Sequence, residues 1–87
     1  MNIEWFESGN MIKCNLGDED FQIELFVWFD VPDGRYCYSI YINDIQQQWE
    51  RFFYTESQAK EECQLRLAIF LKSVQSTINN IINEQTN

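Results

Sequence analysis

Residues 21 to 30 read FQIELFVWFD, and the placement of this stretch decides the fold. Side chains alternate along a strand. Phe21, Ile23, Leu25, Val27 and Phe29 therefore share one face, and Gln22, Glu24, Phe26, Trp28 and Asp30 share the other. The first face is apolar throughout, as a face against a core should be. The second is polar at its ends but carries two large aromatics between them. A strand with one face in water would alternate cleanly. The stretch thus predicts a central strand whose second face is either covered by a small additional core or kept as a contact surface.

The chain then turns at VPDG, residues 31–34, where Pro and Gly supply the fixed and positive φ that a tight turn needs. RYCYSIYIN, residues 35–43, returns as the next strand. Two registers compete. A four-residue loop pairs Phe29 with Tyr36, Val27 with Tyr38, Leu25 with Ile40 and Ile23 with Ile42, giving one fully apolar face. Trp28 then faces Cys37, Phe26 faces Ser39 and Glu24 faces Tyr41. A three-residue loop closed by Gly34 is the commoner turn geometry, but it slips the pairing by one and makes both faces apolar. Hydrophobic patterning favours the first register.

Outward from this hairpin, IEWF and MIKCNL flank Ser8, Gly9 and Asn10 and predict an N-terminal hairpin. LGDED interrupts with Gly17 and three consecutive acids. Asn43 and Asp44 mark a further turn, and QQQWERFFY is a fifth strand or an irregular run. Thr55 and Gln58 then match a capping box, with Glu56 in the first turn. Ala59, Cys63, Leu67, Phe70, Leu71, Val74, Ile78, Ile81 and Ile82 recur at three- and four-residue steps, one stripe of a long helix over about 56–82. Leu65 and Ile69 lie on its opposite side. Residues 83–87 are expected to fray. The predicted fold is α+β: one domain over residues 1–87, with an antiparallel β-meander of four to five strands within about 3–54. The helix packs on one sheet face. If the second face is covered, Trp5, Phe6 and Trp49 are the aromatics expected to join Phe26 and Trp28 there.

Of the fourteen acids, ten lie in residues 1–50 against two bases, so that half carries the whole net charge of −8; residues 51–87 are balanced. Phosphates would be repelled, which excludes direct nucleic-acid binding and favours a basic partner. Cys14, Cys37 and Cys63 fit neither a zinc site nor a disulfide framework and point to a reducing, cytoplasmic compartment. The chain has no apolar run long enough to span a membrane, and its opening residues have no secretory-signal pattern. It has no histidine, and its three glycines form no phosphate-binding pattern. The acids of GDED do not complete a calcium loop. No catalytic residue, metal ligand or cofactor site is expected, and an enzyme is not.

Three functions fit a non-enzymatic, acidic, aromatic-faced domain. It can inhibit a basic nucleic-acid-binding enzyme by imitating nucleic acid. It can be a structural subunit that forms a homodimer through its aromatic face. It can be an immunity protein or antitoxin against a cationic toxin. GDED in a loop, Phe26 and Trp28 on a strand face and TESQAKEEC opening a helix resemble, as a general type, the small anti-defence proteins of bacteriophages, anti-CRISPR proteins among them. That resemblance implies the first function and assigns no residue a role. Charge and patterning place the partner contact at Asp18, Glu19, Asp20, Glu24, Phe26, Trp28, Asp30 and Tyr41, with Leu65 and Ile69 as a second contact.

Overall fold

The computed structural model describes residues 3–86. Five antiparallel strands lie side by side in chain order: β1 (Phe6–Ser8), β2 (Met11–Gly17), β3 (Gln22–Asp30), β4 (Arg35–Ile42) and β5 (Ile45–Phe53). One helix, α1 (Glu56–Thr86), packs against β3, β4 and β5. This is the α+β meander with a C-terminal helix that the patterning predicts. The helix extends four residues past the boundary read from the sequence, so the fray expected from residue 83 is absent within the described residues. Asn87 lies outside them, as do Met1 and Asn2, on which the reading of the opening residues partly rests.

The β3–β4 hairpin takes the four-residue loop, with Ile23 opposite Ile42, Leu25 opposite Ile40, Val27 opposite Tyr38 and Trp28 opposite Cys37. The Gly34 amide donates to the Asp30 carbonyl at 2.8 Å, and Gly34 sits at φ 64°. The alternative register would have put apolar rows on both sheet faces, and burial of one row outweighs the commoner turn geometry. The next hairpin turns on Asn43 and Asp44 alone, both at positive φ, the signature of a two-residue turn that matches strand twist.

On the helix side, Leu25, Val27, Tyr38 and Ile40 meet Ala59, Cys63 and Leu67, all essentially buried. The helix starts where its capping box predicts. The Gln58 amide donates to the Thr55 hydroxyl at 3.1 Å, and the Gln58 side-chain oxygen accepts from the Thr55 and Tyr54 amides. Only the first part of the apolar stripe is fully buried in the core. Phe70 and Leu71 are half-buried against it, and Ile78, Ile81 and Ile82 are exposed beyond it. Phe21 and Phe29, at the ends of the apolar row of the opening stretch, are nearly half exposed.

β5 pairs with β4 through two register shifts, which leave Gln47 and Phe52 without partners. Phe52 takes φ 96°, a conformation that side-chain-bearing residues rarely adopt. Each bulge swaps the face to which the following residues point. Glu50 and Gln48 thereby reach the core side, where the buried Tyr38 hydroxyl donates to the Glu50 carboxylate at 3.0 Å and accepts from Gln48 Nε2 at 3.1 Å.

Burial in this core pushes the Cys63 thiol from its ordinary 9.0 up to about 12, with Cys14 adding a smaller contribution. Burial, followed by the bond to Glu50, moves the Tyr38 phenol the same way. The sign of the linkage follows. Between about pH 9 and pH 12 the unfolded chain releases the Cys63 proton and the folded chain keeps it, so stability falls as pH rises through that window. The urea midpoint is expected to drop between pH 8 and pH 10.5, and Cys63→Ala is expected to flatten part of that drop. An unchanged slope in the variant would remove Cys63 as a cause.

Candidate protein-binding site

The sheet face away from α1 carries the side chains of β3 that patterning could not place in a core. Phe26 and Trp28 are half-buried and lie across Cys37 and Ser39, which they help to shield almost completely from solvent. Phe26 packs edge-on against Tyr41 with ring centroids 5.4 Å apart. Trp49 stands opposite Ser39 and is 51% exposed. Phe26, Trp28, Ser39, Tyr41 and Trp49 line, with Met11 and Gln46, a cleft of about 510 Å3, which Glu24 and Asp44 border. The aromatics are thus neither a closed second core nor fully exposed: they form the walls of an open cleft over a thin buried layer.

Trp5, Phe6 and Trp49 do not join in one minicore here. Trp5 lies by the helix, packed against the main core, with the Lys60 ammonium 5.5 Å from its ring centre. Phe6 is on the short edge strand β1. Phe6 points to the aromatic face, opposite Lys13 and one strand further from Phe26, but stays 46% exposed at the sheet edge, while Trp49 borders the cleft itself.

A second cleft of about 550 Å3 adjoins the first at the end of the sheet, lined in part by Asp18 and Glu19, and the two share Glu24 and Asp44. The acidic loop holds itself in shape. Asp18 Oδ1 accepts from the Asp20 and Phe21 amides at 2.9 Å each, and the Asp18 amide donates to the Phe21 carbonyl at 3.1 Å. Asn43 ties the loop to the β4–β5 turn: its Oδ1 accepts from the Gln22 amide at 2.8 Å, and its Nδ2 donates to the Asp20 carbonyl at 3.3 Å. The chain needs glycine at 17, because φ is 87° there and a Cβ would collide with the Phe21 carbonyl oxygen.

The carboxylates around the two clefts differ in their pairing. Glu24 is paired with Lys13 at 2.8 Å, and the same ammonium lies 5.2 Å from the Phe26 ring centre. Asp18, Glu19, Asp20 and Asp44 pair with no basic side chain among the described residues.

Of the residues expected to contact a partner, the structure gathers Asp18, Glu19, Glu24, Phe26, Trp28 and Tyr41 around these adjoining clefts. Asp20 sits in the acidic loop but lines neither cleft. Asp30 lies at the other end of the face, opposite Arg35 and six residues along β3 from Glu24, a separation of roughly 20 Å. Leu65 and Ile69 are exposed on the outer side of α1, across the sheet from the aromatic cleft.

No protein-family model matches the chain, and no match was found among curated proteins or solved structures.

Met11, Ser39, Asp44 and Gln46 also border the aromatic cleft and are not among the contact residues expected from the sequence; Trp49 borders it too, and was expected on this face only as part of a covering core. Asp44 was legible as a turn residue, but its position beside Glu24 depends on how the two hairpins fold toward each other. Among the described residues, no helix is long and apolar enough to cross a membrane.

Proposed function

We propose that this chain is a non-enzymatic binding protein that inhibits a basic, nucleic-acid-binding protein, as phage anti-defence proteins of the anti-CRISPR type do. The observation that carries the reading is the continuity of an aromatic cleft with an acidic one through Glu24 and Asp44. Unpaired carboxylates attract a basic surface and speed its approach, while aromatic walls hold what arrives. Lys13 supports the cation preference, because its ammonium already rests between a carboxylate and a ring. The Arg51 guanidinium of this chain lies 5.4 Å from the Trp49 ring centre, and a partner's arginine or lysine takes a similar position against Trp28. A homodimer through this face fits less well, since it brings the Glu24 and Asp44 carboxylates of two copies together.

The test is association and dissociation with a basic protein captured from bacterial lysate, followed across ionic strength. Glu19→Gln with Asp44→Asn is expected to slow association several-fold at low salt and to flatten its salt dependence. Trp28→Ala is expected to speed dissociation about tenfold or more. DNA or RNA is expected to compete if the partner's nucleic-acid groove is the bound site; competition that fails points instead to a cationic toxin as target. Association that ignores both salt and the double variant would sink the electrostatic reading.

A further inference from the structure

The apolar stripe of α1 outlasts the sheet that it covers. The molecule measures 54 × 25 × 22 Å, and its long axis exceeds the roughly 30 Å of a nine-residue strand. Past the half-buried Val74, the stripe continues as Ile78, Ile81 and Ile82, exposed by 46%, 49% and 52%. The local sequence does not favour a helix on its own. Residues 73–83 read SVQSTINNIIN, mostly β-branched and Asn or Ser residues of modest helix propensity. The ion pairs Glu56–Lys60 and Glu62–Arg66 support the other end of the helix. A short helical end of this composition depends on packing.

Spacing and charge say what packs there. Leu71, Val74, Ile78, Ile81 and Gln85 are separated by three, four, three and four residues, the heptad seam of a paired helix. After Lys72 the only ionisable side chain is Glu84. In a molecule of net charge −8 this end of α1 is an apolar surface that a second copy can approach with little repulsion.

We propose that the projecting end of α1, residues 74–85, pairs antiparallel with the same segment of a second copy of this chain. In that arrangement Ile78 of each copy meets Ile81 of the other, and Val74 meets Gln85, a two-fold contact of the kind most homodimers use. Antiparallel pairing also sets the two acidic bodies at opposite ends, about 20 Å or more apart and beyond the Debye length of about 8 Å at physiological salt. Parallel pairing would place them side by side. A contact over about three helical turns falls in the small class, below about 1,200 Å2 in total. Association is therefore weak, with a dissociation constant between about 10 μM and 1 mM. The aromatic cleft plays no part, so this inference stands apart from the proposed inhibitor function.

The test is the mass of the full chain by sedimentation equilibrium, with helicity at 222 nm, from about 5 μM to about 1 mM. The mass is expected to rise from 10.5 kDa toward twice that value, and helicity to rise with it. Added salt is expected to strengthen the dimer by screening the two acidic bodies. Ile78→Asp with Ile81→Asp is expected to weaken association about 100-fold or more, because it buries carboxylates in the seam. Both positions are exposed in the single chain, so the variant is expected to keep the fold of the sheet and the first half of α1. Ile81→Leu and Trp28→Ala are expected to dimerise as the parent does. A mass that stays at 10.5 kDa to 1 mM would overturn the proposal, and so would a dimer that survives the double aspartate variant.

Discussion

Leu67→Ala is expected to lower the folding free energy by about 3–5 kcal/mol, because the side chain is fully buried between the helix and the sheet and its removal leaves a cavity that β3 and β4 cannot close. A domain of this size has on the order of 4–13 kcal/mol in total, so the loss is a large fraction of what holds it folded. Urea unfolding measures it. Leu65→Ala, two residues earlier and half exposed on the outer side of the helix, is expected to cost less than about 1 kcal/mol. Phe70→Ala should fall between the two, since Phe70 is only half-buried. Equal midpoints for the Leu67 and Leu65 variants would mean that the helix presents a different face.

Gly17→Ala is expected to be the most damaging glycine substitution, at about 2–4 kcal/mol. Positive φ alone costs a residue with a side chain about 1–2 kcal/mol. Here the new methyl would also strike the Phe21 carbonyl oxygen, the acceptor for the Asp18 amide that closes the acidic loop. Gly9 and Gly34 have similar positive φ but open space where a Cβ would go, so their alanine variants isolate the conformational cost. A Gly17→Ala protein no less stable than Gly34→Ala would show that the loop yields without cost. If the loop shifts as expected, Asp18 and Glu19 shift with it, and the same variant should weaken any contact made by the acidic cleft.

Particular residues show how far this fold was legible in the sequence. The placement of β3, the pairing of Leu25 with Ile40 and the start of the helix all follow from patterns confined to a few residues: strict alternation, one apolar row and a Thr55–Gln58 cap. Such patterns survive folding because burial enforces them. Trp49 shows where legibility stops. Counting in twos from the Asn43–Asp44 turn puts Trp49 on the helix side, with Ile45 and Ile42. The bulge at Gln47 adds one residue and moves Trp49 to the outer face, opposite Ser39. Nothing in QQQWERFF marks that bulge, because Gln47 and Phe52 carry none of the glycine that usually announces one. Trp49 thereby reaches the face on which it was expected with Phe26 and Trp28, whereas Trp5, next to the outward-facing Phe6, alternates to the helix side and packs against the main core. The acidic cleft was half legible. The acids of the Gly17–Phe21 loop were visible as a run, but Asp44 joins them only because Asn43 ties two hairpin ends together through the Gln22 amide and the Asp20 carbonyl.

The two bulges of β5 also determine what the sheet can do to its neighbours. An open sheet has two edges with unpaired backbone groups, and an edge of this kind recruits further strands and seeds fibrils. Here one edge is β1, only three residues long. The other is β5, nine residues rich in glutamine and aromatics, a composition suited to stacking. Its longest uninterrupted run of pairing is Gln48–Arg51, four residues, before Phe52 turns the backbone aside at φ 96°. Steric zippers are built from flat segments of six or seven residues. The backbone turn at Phe52 therefore denies an incoming strand a straight template along the outer edge of the sheet, which is how an aromatic-rich edge strand is kept from extending into a fibre.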